Sequence, residues 1–523
     1  MEMSRKRQSG ASGVLNDMIE RFGVHVDCKI CKPNAAWRRL TWPGSAGGGS
    51  TSCEEERFSP IRRIRALELS DESLKIRRAS LDFYLSNAQC CFRNRSSYFS
   101  NYGVRFEFSG ENMPPLIRTT TAVLAMLLGV VQAISRPHNP FSGDGFVTTR
   151  GREIVGPNGK ALHLRGINLG GWLVPEGYMF GFSKAIAPWQ IRQTFKELVG
   201  TERDNVFWRN WRDSFITRDD IRYIRSTGMN LVRVPFDYRL FTPEEHPGTW
   251  VGIGFELLDR VVAWSRQAGL FVLLDMHAAP CGQNPWNVDY GNSYLFEDPV
   301  CLSRTVEVWR RIARHYAQNH AVIGYDILNE PAPADGEGRQ AALDAVNEKI
   351  AAAISEVDQK HLLFLTSVQP DAPSEIFAKG RFHGKLVYTF HTYWTEPTEQ
   401  AFAKHLQFAE RYNVPIFLGE SGENTDDWGR SFRLALERQD VGWAFWSYKR
   451  MSTAASMRTF DKPNYWDELV DYQQTPSNPF AKPKKAMPSS EHARAALEGL
   501  LRNAQFENTR QNTGYIEALG MRP

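Results

Sequence analysis

Short apolar, β-branched runs alternate with longer amphipathic stretches from about residue 145 to residue 505. The eight apolar runs cover residues 162–169, 230–236, 271–277, 322–330, 362–367, 386–393, 415–421 and 442–448. Between them, apolar positions recur every three or four residues, and several stretches end in Gly or Asn, as helices do. Strands that alternate with helices form parallel sheets whose faces the helices cover.

Eight such strand–helix units predict an α/β fold, a (β/α)8 TIM barrel over residues 145–505 with loop insertions after the last strand. A doubly wound open sheet is the alternative, but no Gly-rich phosphate loop follows the first strand. Residues 146–162 predict a β-hairpin ahead of the barrel, with its turn at residues 156–159. The polar residues 506–523 predict a flexible tail.

The segment at residues 113–133 has the pattern of a secretory signal peptide. Arg118 precedes an apolar run of about a dozen residues, and Val131-Gln132-Ala133 follows it, with short side chains at the cleavage positions. The run is too short for a membrane span. We therefore predict that Met113 starts the natural chain, that residues 1–112 are a non-native or disordered extension, and that the mature protein is secreted. A signal anchor and a buried helix are the alternatives.

The charge distribution argues against nucleic acid and anionic membranes as partners. The formal net charge is +4, and the basic excess lies in residues 1–112, so the globular part is close to neutral. No basic stripe favours nucleic acid or an anionic membrane as a partner.

Cys28 and Cys31 lack a second pair at zinc spacing, so we predict no metal site there. Cys281 and Cys301 bracket one predicted loop and form either a disulfide or two free thiols.

Chemically useful side chains stand at or near the ends of several predicted strands. They are Arg233, His277, Asn329, Glu330, His391, Tyr393, Glu420 and Trp446. Any one of them has a structural explanation, such as a strand arginine in a core salt bridge. The carboxyl ends of barrel strands form one face, however, so these residues are expected to converge on one rim. That convergence predicts an active site.

Two carboxylates in this set define the chemistry. Glycoside hydrolysis needs one acid to protonate the leaving oxygen and a second carboxylate to attack the anomeric carbon or activate water, and Glu330 and Glu420 fit these roles. A neighbouring arginine would keep the nucleophile ionised. Asn329 could hydrogen-bond a sugar hydroxyl, and Trp446 offers an apolar floor for a pyranose. Glu423 competes as nucleophile, but Glu420 directly closes the apolar run.

The chain resembles glycoside hydrolase family 5, the cellulase family, over residues 145–505. The resemblance rests on six motifs in this order and at barrel spacing: NLVRVPF, LLDMH, YDILNEP, HTYW, IFLGESG and AFWSYK. It implies a retaining enzyme with Glu330 as general acid/base and Glu420 as nucleophile, and hence carboxyl groups about 5–5.5 Å apart.

The resemblance also implies roles for the remaining residues. Arg233 and His391 would orient and tune the nucleophile, with Tyr393 close to it. His277 and Asn329 would line the site of the sugar at the cleaved bond, and Trp446 would form its floor. No cofactor and no metal are implied, and a monomer is expected.

The sequence indicates the substrate less clearly than it indicates the reaction. RGINLGGWLVPEGYMF and HAAPCGQN are similar to the exo-β-1,3-glucanase branch of the family, whereas HTYWTEP and GESGENTDDW depart from it. A β-linked polysaccharide or oligosaccharide of the β-glucan type is therefore the first expectation, ahead of β-1,4-glucan or mannan and then a glycolipid glucoside. Aromatic residues on predicted active-face loops, each able to stack on sugars or pack in the fold, are Trp172, Tyr178, Trp286, Trp394 and Trp428.

Two other classes remain open at this stage. A barrel metallohydrolase could use Asp275, His277, His391 and the two glutamates, but strand one has only His163 where such enzymes typically have His-x-His. A catalytically inactive, carbohydrate-binding barrel is the non-enzymatic alternative. The presence of both carboxylates with supporting Arg, His and Tyr residues argues against it.

Overall fold

The computed structural model describes residues 24–30, 39–40, 88–91, 107–108, 140–141, 145–285, 293–334, 336, 338–382, 384–473 and 486–523. The chain divides into two compact units, Met1–Arg136 and Pro137–Pro523. The predicted signal peptide and Trp286 lie outside the described residues.

The first unit contains a small antiparallel sheet that the sequence analysis did not anticipate. Its central strand, Val24–Ile30, pairs with Arg39–Leu40, Ala88–Cys91 and Glu107–Phe108. That residues 1–112 are a non-native or disordered extension stays a prediction.

Eight parallel strands of the second unit close into a barrel, which confirms the predicted fold class. The strands are β1 (Arg165–Asn168), β2 (Leu231–Asp237), β3 (Phe271–Ala278), β4 (Val322–Asp326), β5 (Leu362–Leu365), β6 (Leu386–His391), β7 (Ile416–Glu420) and β8 (Gly442–Phe445). Each strand pairs with its neighbours in chain order, and β8 pairs with β1. The strands are almost wholly buried, since helices cover one face and the barrel interior fills the other.

Helices connect and cover the strands, as the three-to-four-residue periodicity predicts. They are α1 (Pro188–Val199), α2 (Thr201–Ser214), α3 (Arg218–Thr227), α4 (Ile253–Ala268), α5 (Pro299–Tyr316), α6 (Arg339–Ser355), α7 (Glu375–Ala378), α8 (Ala403–Tyr412), α9 (Asp426–Arg438), α10 (Trp466–Gln473), α11 (Ser490–Asn503) and α12 (Thr513–Ala518). Short 3-10 helices span Gly177–Phe180, Tyr238–Leu240, Tyr294–Phe296, Glu399–Phe402 and Phe506–Asn508. None of the described helices is long and apolar enough to cross a membrane.

Helix α3 illustrates how local sequence sets the boundaries. Asp220 accepts hydrogen bonds from the backbone N–H and the hydroxyl of Thr217 at its start, both at 2.7 Å, so a side chain satisfies groups left over by the first turn. At its end, Gly228 adopts φ 106°, a left-handed conformation that glycine enters without a Cβ clash. The chain then turns directly into β2.

The hairpin ahead of the barrel forms, but its turn lies elsewhere than predicted. Strands Thr148–Arg150 and Glu153–Val155 pair around Gly151, whereas residues 156–159 make the next turn. Val147 and Ile154 pack against the first residues of barrel strands, among them Leu231. The hairpin therefore plugs the amino-terminal end of the barrel and leaves the carboxyl-terminal face to the loops.

The prediction of a flexible tail at residues 506–523 is wrong, because this segment is ordered. Residues 510–511 form a strand that pairs with Arg458–Phe460, and α12 follows it. Ile516 and Leu519 are fully buried against the barrel core. The polar composition of the segment concealed these two apolar positions, of which Ile516 lies in α12 and Leu519 directly follows it.

Candidate active site

Arg233 is the electrostatic centre of the carboxyl-terminal face. It lies on β2 with no exposed surface, and its guanidinium binds three carboxylates: Glu420 at 2.6 Å, Asp326 at 2.8 Å and Asp275 at 3.1 Å. Burial alone would lower the pKa of Arg233, but these carboxylates raise it, so the guanidinium stays charged. A fixed positive charge thus faces the end of β7.

Burial shifts the titration of the groups around Arg233. It raises the pKa of Asp275 to about 7 and that of Asp326 to about 6, although Arg233 acts in the opposite direction on both. Burial also lowers the pKa of His277 to about 4, so this imidazole is neutral near neutral pH. Asp275 lies 2.7 Å from Nδ1 of His277, which favours the single ring proton on that nitrogen and makes Nε2 the acceptor nitrogen of the ring.

Glu420, the last residue of β7, has both carboxylate oxygens engaged. Arg233 donates to Oε1, and the hydroxyl of Tyr393 donates to Oε2 at 3.0 Å. Burial raises the pKa of Tyr393 well above its usual value, so it remains a phenol donor. The preceding residue must be glycine, because a Cβ on Gly419 would come within 2.7 Å of Nε2 of His391. Glu420 is thereby held in one orientation and supplied with positive charge.

Glu330 lies across the rim from Glu420 and is more accessible, with its side chain about one-third exposed. His391, the last residue of β6, lies with Nδ1 3.0 Å from Oε1 of Glu330. One oxygen of Glu330, one oxygen of Glu420 and one ring nitrogen of His391 all lie within 4.8 Å of one another. The two carboxyl groups therefore share one small space.

The Glu330–His391 pair favours opposite charges. Burial would raise the pKa of Glu330, but the hydrogen bond and the charge of His391 outweigh it and lower that pKa. For His391, burial would lower the pKa, yet the charges of Glu420 and Glu330 raise it. In the ligand-free site, a carboxylate and an imidazolium are thus the favoured forms.

The structure places Asn329 and Glu330 differently from the sequence prediction. β4 ends at Asp326, so both residues lie in the turn beyond the strand rather than at its last positions. Glu330 has φ 43°, which is unfavourable for a residue with a Cβ. Asn329 accepts from Nη2 of Arg233 at 3.0 Å and places its amide 3.4 Å from Nε2 of His277. Strained backbone of this kind is concentrated at functional sites.

The loop after β3 braces that turn. Gln283 donates to the carbonyl of Asn329 at 3.1 Å, and Asn284 donates to the carbonyl of Glu330 at 3.1 Å. A disulfide between Cys281 and Cys301 ties the same loop to the first turn of α5. Of the two alternatives for these cysteines, a disulfide or two free thiols, the structure therefore shows the disulfide.

Trp446 lies directly after β8, at the inner wall of the site. Its indole is nearly parallel to the ring of His277, with centroids 5.5 Å apart and planes 11° apart. Its Nε1 donates to the hydroxyl of Tyr178 at 2.6 Å. A Cβ on Gly170 would lie 2.5 Å from the indole, so glycine is required for this close approach. Trp446 is only 2% exposed, so little of the indole surface is free, and its role as a floor stays a prediction.

Glu176 is a site residue that sequence reasoning missed. It lies in the loop after β1, 6% exposed, with Oε1 3.8 Å from Nε2 of His277. Among the described residues, Oε1 has no hydrogen-bond partner. Burial and the charges of Glu420 and Glu330 raise the pKa of Glu176 well above its usual value. Burial therefore favours its neutral, protonated form, which can donate to a ligand.

Asn168 was also missed, because nothing in its β1 pattern marks it as functional. Its amide donates to the carbonyls of Gly419 and Ala444, both at 3.0 Å, which joins β1 to β7 and β8. Its carbonyl oxygen accepts from Nη1 of Arg233 at 3.0 Å. Asn168 therefore fixes the guanidinium that contacts Glu420.

Glu423, the competing nucleophile in the sequence, is engaged elsewhere. Its carboxylate pairs with Arg450, and burial raises its pKa. Arg450 lies over the ring of Tyr178, 4.7 Å from the centroid. The pair supports the wall formed by Tyr178 and Trp446.

Within the part of the chain that the structure describes, two groups of side chains have ligand atoms close enough for a cation. They are Asp275, His277 and Glu420, and Glu330, His391 and Glu420. In the first group, the guanidinium of Arg233 already lies against both carboxylates, and its positive charge repels a cation. In the second, the raised pKa of His391 favours an imidazolium, which repels a cation. The charge balance therefore disfavours a metal at both places.

A parallel barrel with a charged, mostly buried centre at its carboxyl-terminal face is the architecture of barrel enzymes. Residues 192–452 match the sequence model of Cellulase (glycosyl hydrolase family 5). The chain therefore belongs to glycosyl hydrolase family 5, whose members hydrolyse O-glycosyl bonds, and this confirms the resemblance seen in the sequence.

Individual relatives agree with this family. The chain is 34% identical over 223 residues to a β-xylosidase of Phanerodontia chrysosporium, which covers 42% of the chain and 46% of the relative. It is 26% identical over 348 residues to endoglucanase C of Acetivibrio thermocellus, covering 55% and 91%. It is 31% identical over 213 residues to a probable glucan 1,3-β-glucosidase A of Aspergillus fumigatus, covering 39% and 49%. The match thus spans about half the length of the first and third relatives.

Proposed function

We propose that this protein is a retaining glycoside hydrolase that cleaves β-glycosidic bonds of a β-glucan-type polysaccharide or oligosaccharide by double displacement. The separation of the two carboxyl groups carries the proposal. Oxygens of Glu330 and Glu420 lie within 4.8 Å of each other. Retaining enzymes have carboxyl groups about 5–5.5 Å apart, whereas inverting enzymes leave about 6.5–9.5 Å for a water molecule.

Glu420 is the proposed nucleophile. Arg233 and Tyr393 hold its two oxygens, and one of these oxygens attacks the anomeric carbon to give a covalent glycosyl ester as the leaving oxygen departs. When the ester forms, the negative charge on Glu420 disappears. Arg233 then still has Asp326 and Asp275 as partners, so the buried cation is not left unpaired.

Glu330 is the proposed general acid and base. It protonates the leaving oxygen in the first step and removes a proton from water in the second. His391 lowers the pKa of Glu330 in the ligand-free site, which opposes the acid role. A leaving-group oxygen that takes the place of His391 on Oε1 removes that effect, so substrate binding itself favours protonation of Glu330.

The remaining site residues are proposed to hold the sugar at the cleaved bond. Trp446 supplies an apolar face, and His277 and Asn329 supply an acceptor and a donor at its edge. Glu176, a neutral acid, adds a second donor without adding charge. Such a lining, one apolar face with a few placed polar groups, is typical of sugar-sized ligands.

The β-glucan assignment rests on the relatives. An endoglucanase and a probable glucan 1,3-β-glucosidase are among them, and the names of both refer to glucans. Mannan, a glycolipid glucoside, and sugar binding without turnover are the alternatives. We also propose export, because the Cys281–Cys301 disulfide suits an oxidising compartment and the segment starting at Met113 has the signal pattern.

The test compares the wild type with Glu420→Ala on β-1,3-glucan, β-1,4-glucan and β-mannan, with reducing-sugar release as the readout. Turnover of a glucan that Glu420→Ala abolishes is expected. NMR of the first product should show the β-anomer before mutarotation. A first product in the α-configuration would contradict the retaining mechanism, and turnover of mannan alone would replace the substrate class. Binding without turnover in the folded wild type would favour the inactive barrel.

A further inference from the structure

We propose that Glu423 is a positioning residue for the glycosidase reaction, acting through Tyr178 on the indole of Trp446. This inference rests on the proposed function, because it assigns a further residue to the same site. Glu423 does not touch the reacting atoms. It fixes the wall against which the sugar at the cleaved bond lies, and hence the approach of that sugar to Glu420.

Hydrogen-bond chemistry gives the chain of contacts from Trp446 to Glu423 one direction. The indole Nε1 of Trp446 can only donate, and it donates to the hydroxyl of Tyr178 at 2.6 Å. The single proton of that hydroxyl is then left for another acceptor, and Tyr178 donates it to Glu423. A carboxylate can only accept, so the orientation of every group in this chain of contacts is determined.

Arg450 holds the far end of this chain of contacts. Its guanidinium pairs with the carboxylate of Glu423 and lies over the ring of Tyr178, 4.7 Å from the centroid. The arginine belongs to the strand Lys449–Met451, whose first residue is buried and bonded to Asp220 at 2.7 Å. The segments that follow β1, β7 and β8 thus meet at one carboxylate.

The ring is the part of Trp446 that these contacts control, because its backbone is fixed independently. The N–H of Trp446 donates to the carbonyl of Ser421 at 2.7 Å, and its carbonyl accepts from the hydroxyl of Tyr515 at 3.2 Å. Among the described residues, Tyr178 is the hydrogen-bond partner of the indole nitrogen. Since the indole is stacked on His277, with centroids 5.5 Å apart, a shift of the indole also moves His277.

Folding alone does not account for an acid at position 423. Glu423 has φ 52°, a left-handed conformation that is unfavourable for a residue with a Cβ. Its side chain is only 16% exposed, and burial raises its pKa. A mostly buried ion pair with Arg450 contributes little net stability, because both groups lose their hydration. Strained backbone and desolvated charges of this kind are concentrated at functional sites.

A double-mutant cycle tests the chain of contacts, with a dinitrophenyl β-glucoside as substrate. Tyr178→Phe removes the hydroxyl and should lower kcat about tenfold. Glu423→Gln removes the charge and leaves the direction of the hydrogen bonds open, so it should lower kcat about fivefold. Because both changes break the same chain of contacts, the double variant should lose no more than Tyr178→Phe alone. KM should stay within about twofold, since the contacts orient the sugar for attack rather than hold it.

Counting active sites separates positioning from folding. A dinitrophenyl β-glucoside with fluorine in place of the hydroxyl next to the anomeric carbon reacts once and stays bound as the ester, so released dinitrophenolate counts the intact sites. A positioning defect lowers kcat per titrated site. Fewer titrated sites with an unchanged kcat per site would show a packing defect and overturn the inference.

Glu437→Gln is the matched control. Glu437 forms a similarly buried ion pair with Arg433 at 2.7 Å, but it also binds Arg165, the first residue of β1, at the amino-terminal end of the barrel. Loss of its charge should leave kcat per titrated site unchanged.

Independent losses that multiply to about fiftyfold in the double variant, or a kcat of Glu423→Gln within about twofold of the wild type, would overturn the inference while wild-type turnover upheld the proposed function. If the wild type neither turned over the substrate nor released dinitrophenolate, the proposed function would fail. The same cycle in the calorimetric Kd of laminaritriose and cellotriose would then decide. Coupled losses of affinity would support the inference, whereas independent losses, no losses or no binding would overturn it.

Discussion

The Cys281–Cys301 disulfide should stabilise the barrel measurably and hold the acid-bearing turn. The perturbation is Cys281→Ser combined with Cys301→Ser. Both positions are close to the site: the loop that contains Cys281 also contains Gln283 and Asn284, which bind the carbonyls of residues 329 and 330. Loss of the bond frees this loop in the unfolded chain and loosens it in the folded one.

The sequence separation sets the magnitude. The two cysteines are 20 residues apart. In the chain-entropy model, a loop of about 20 residues corresponds to about 11 cal/mol/K, or about 3.3 kcal/mol of unfolding free energy at 25 °C. The second unit has roughly 390 residues, and at about 2.1 cal/mol/K per residue its unfolding entropy is about 0.8 kcal/mol/K. The expected fall in melting temperature is therefore about 4 °C.

Differential scanning calorimetry of the full chain measures this shift. The wild type with dithiothreitol should melt at the temperature of the double serine variant, and dithiothreitol should leave the variant itself unchanged. The variant should also lose kcat, since its turn is less well braced. A shift below about 1 °C, or a reductant effect that persists in the variant, would refute the reasoning.

Three further predictions concern the buried charges. Arg233→Gln removes the cation shared by three carboxylates, so the free energy of unfolding measured in urea should fall by about 3–5 kcal/mol. A fall below about 1 kcal/mol would show that other groups compensate the carboxylates. His391→Gln removes the interaction that lowers the pKa of Glu330, so the basic limb of the pH profile of kcat/KM should move to higher pH; an unmoved limb would assign it to another group. Glu176 has a raised pKa in the folded protein, so the wild type should lose stability as pH rises above the ordinary glutamate pKa of about 4.3. Glu176→Gln should flatten that loss, and an identical pH slope in both proteins would contradict the buried neutral acid.

The barrel was predictable because its signals are local. Each strand is an apolar run and each helix has a three-to-four-residue period, so alternation along the chain specifies the fold class. The residues at strand ends were predictable for the same reason: Arg233 and Glu420 lie in or at the end of such runs, and a parallel barrel brings these ends together.

Features that depend on contacts through space were not predictable. Glu176 lies in a loop of mixed composition, and only the fold brings its carboxyl beside His277. Asn168 is one polar residue in an apolar strand, and its role depends on the position of Arg233. The end of β4 was placed too late because Ile327 and Leu328 continue the apolar run into the turn.

The central claim is that Glu420 forms the covalent intermediate and Glu330 is the acid/base. Azide rescue tests both roles directly, with a dinitrophenyl β-glucoside as substrate and NMR of the glycosyl azide. Glu420→Gly should give the α-glycosyl azide, because azide enters from the vacated face of the nucleophile. Glu330→Ala should give the β-glycosyl azide, because azide intercepts the ester on Glu420. The opposite anomers, or wild-type turnover in Glu420→Gly without azide, would contradict the account.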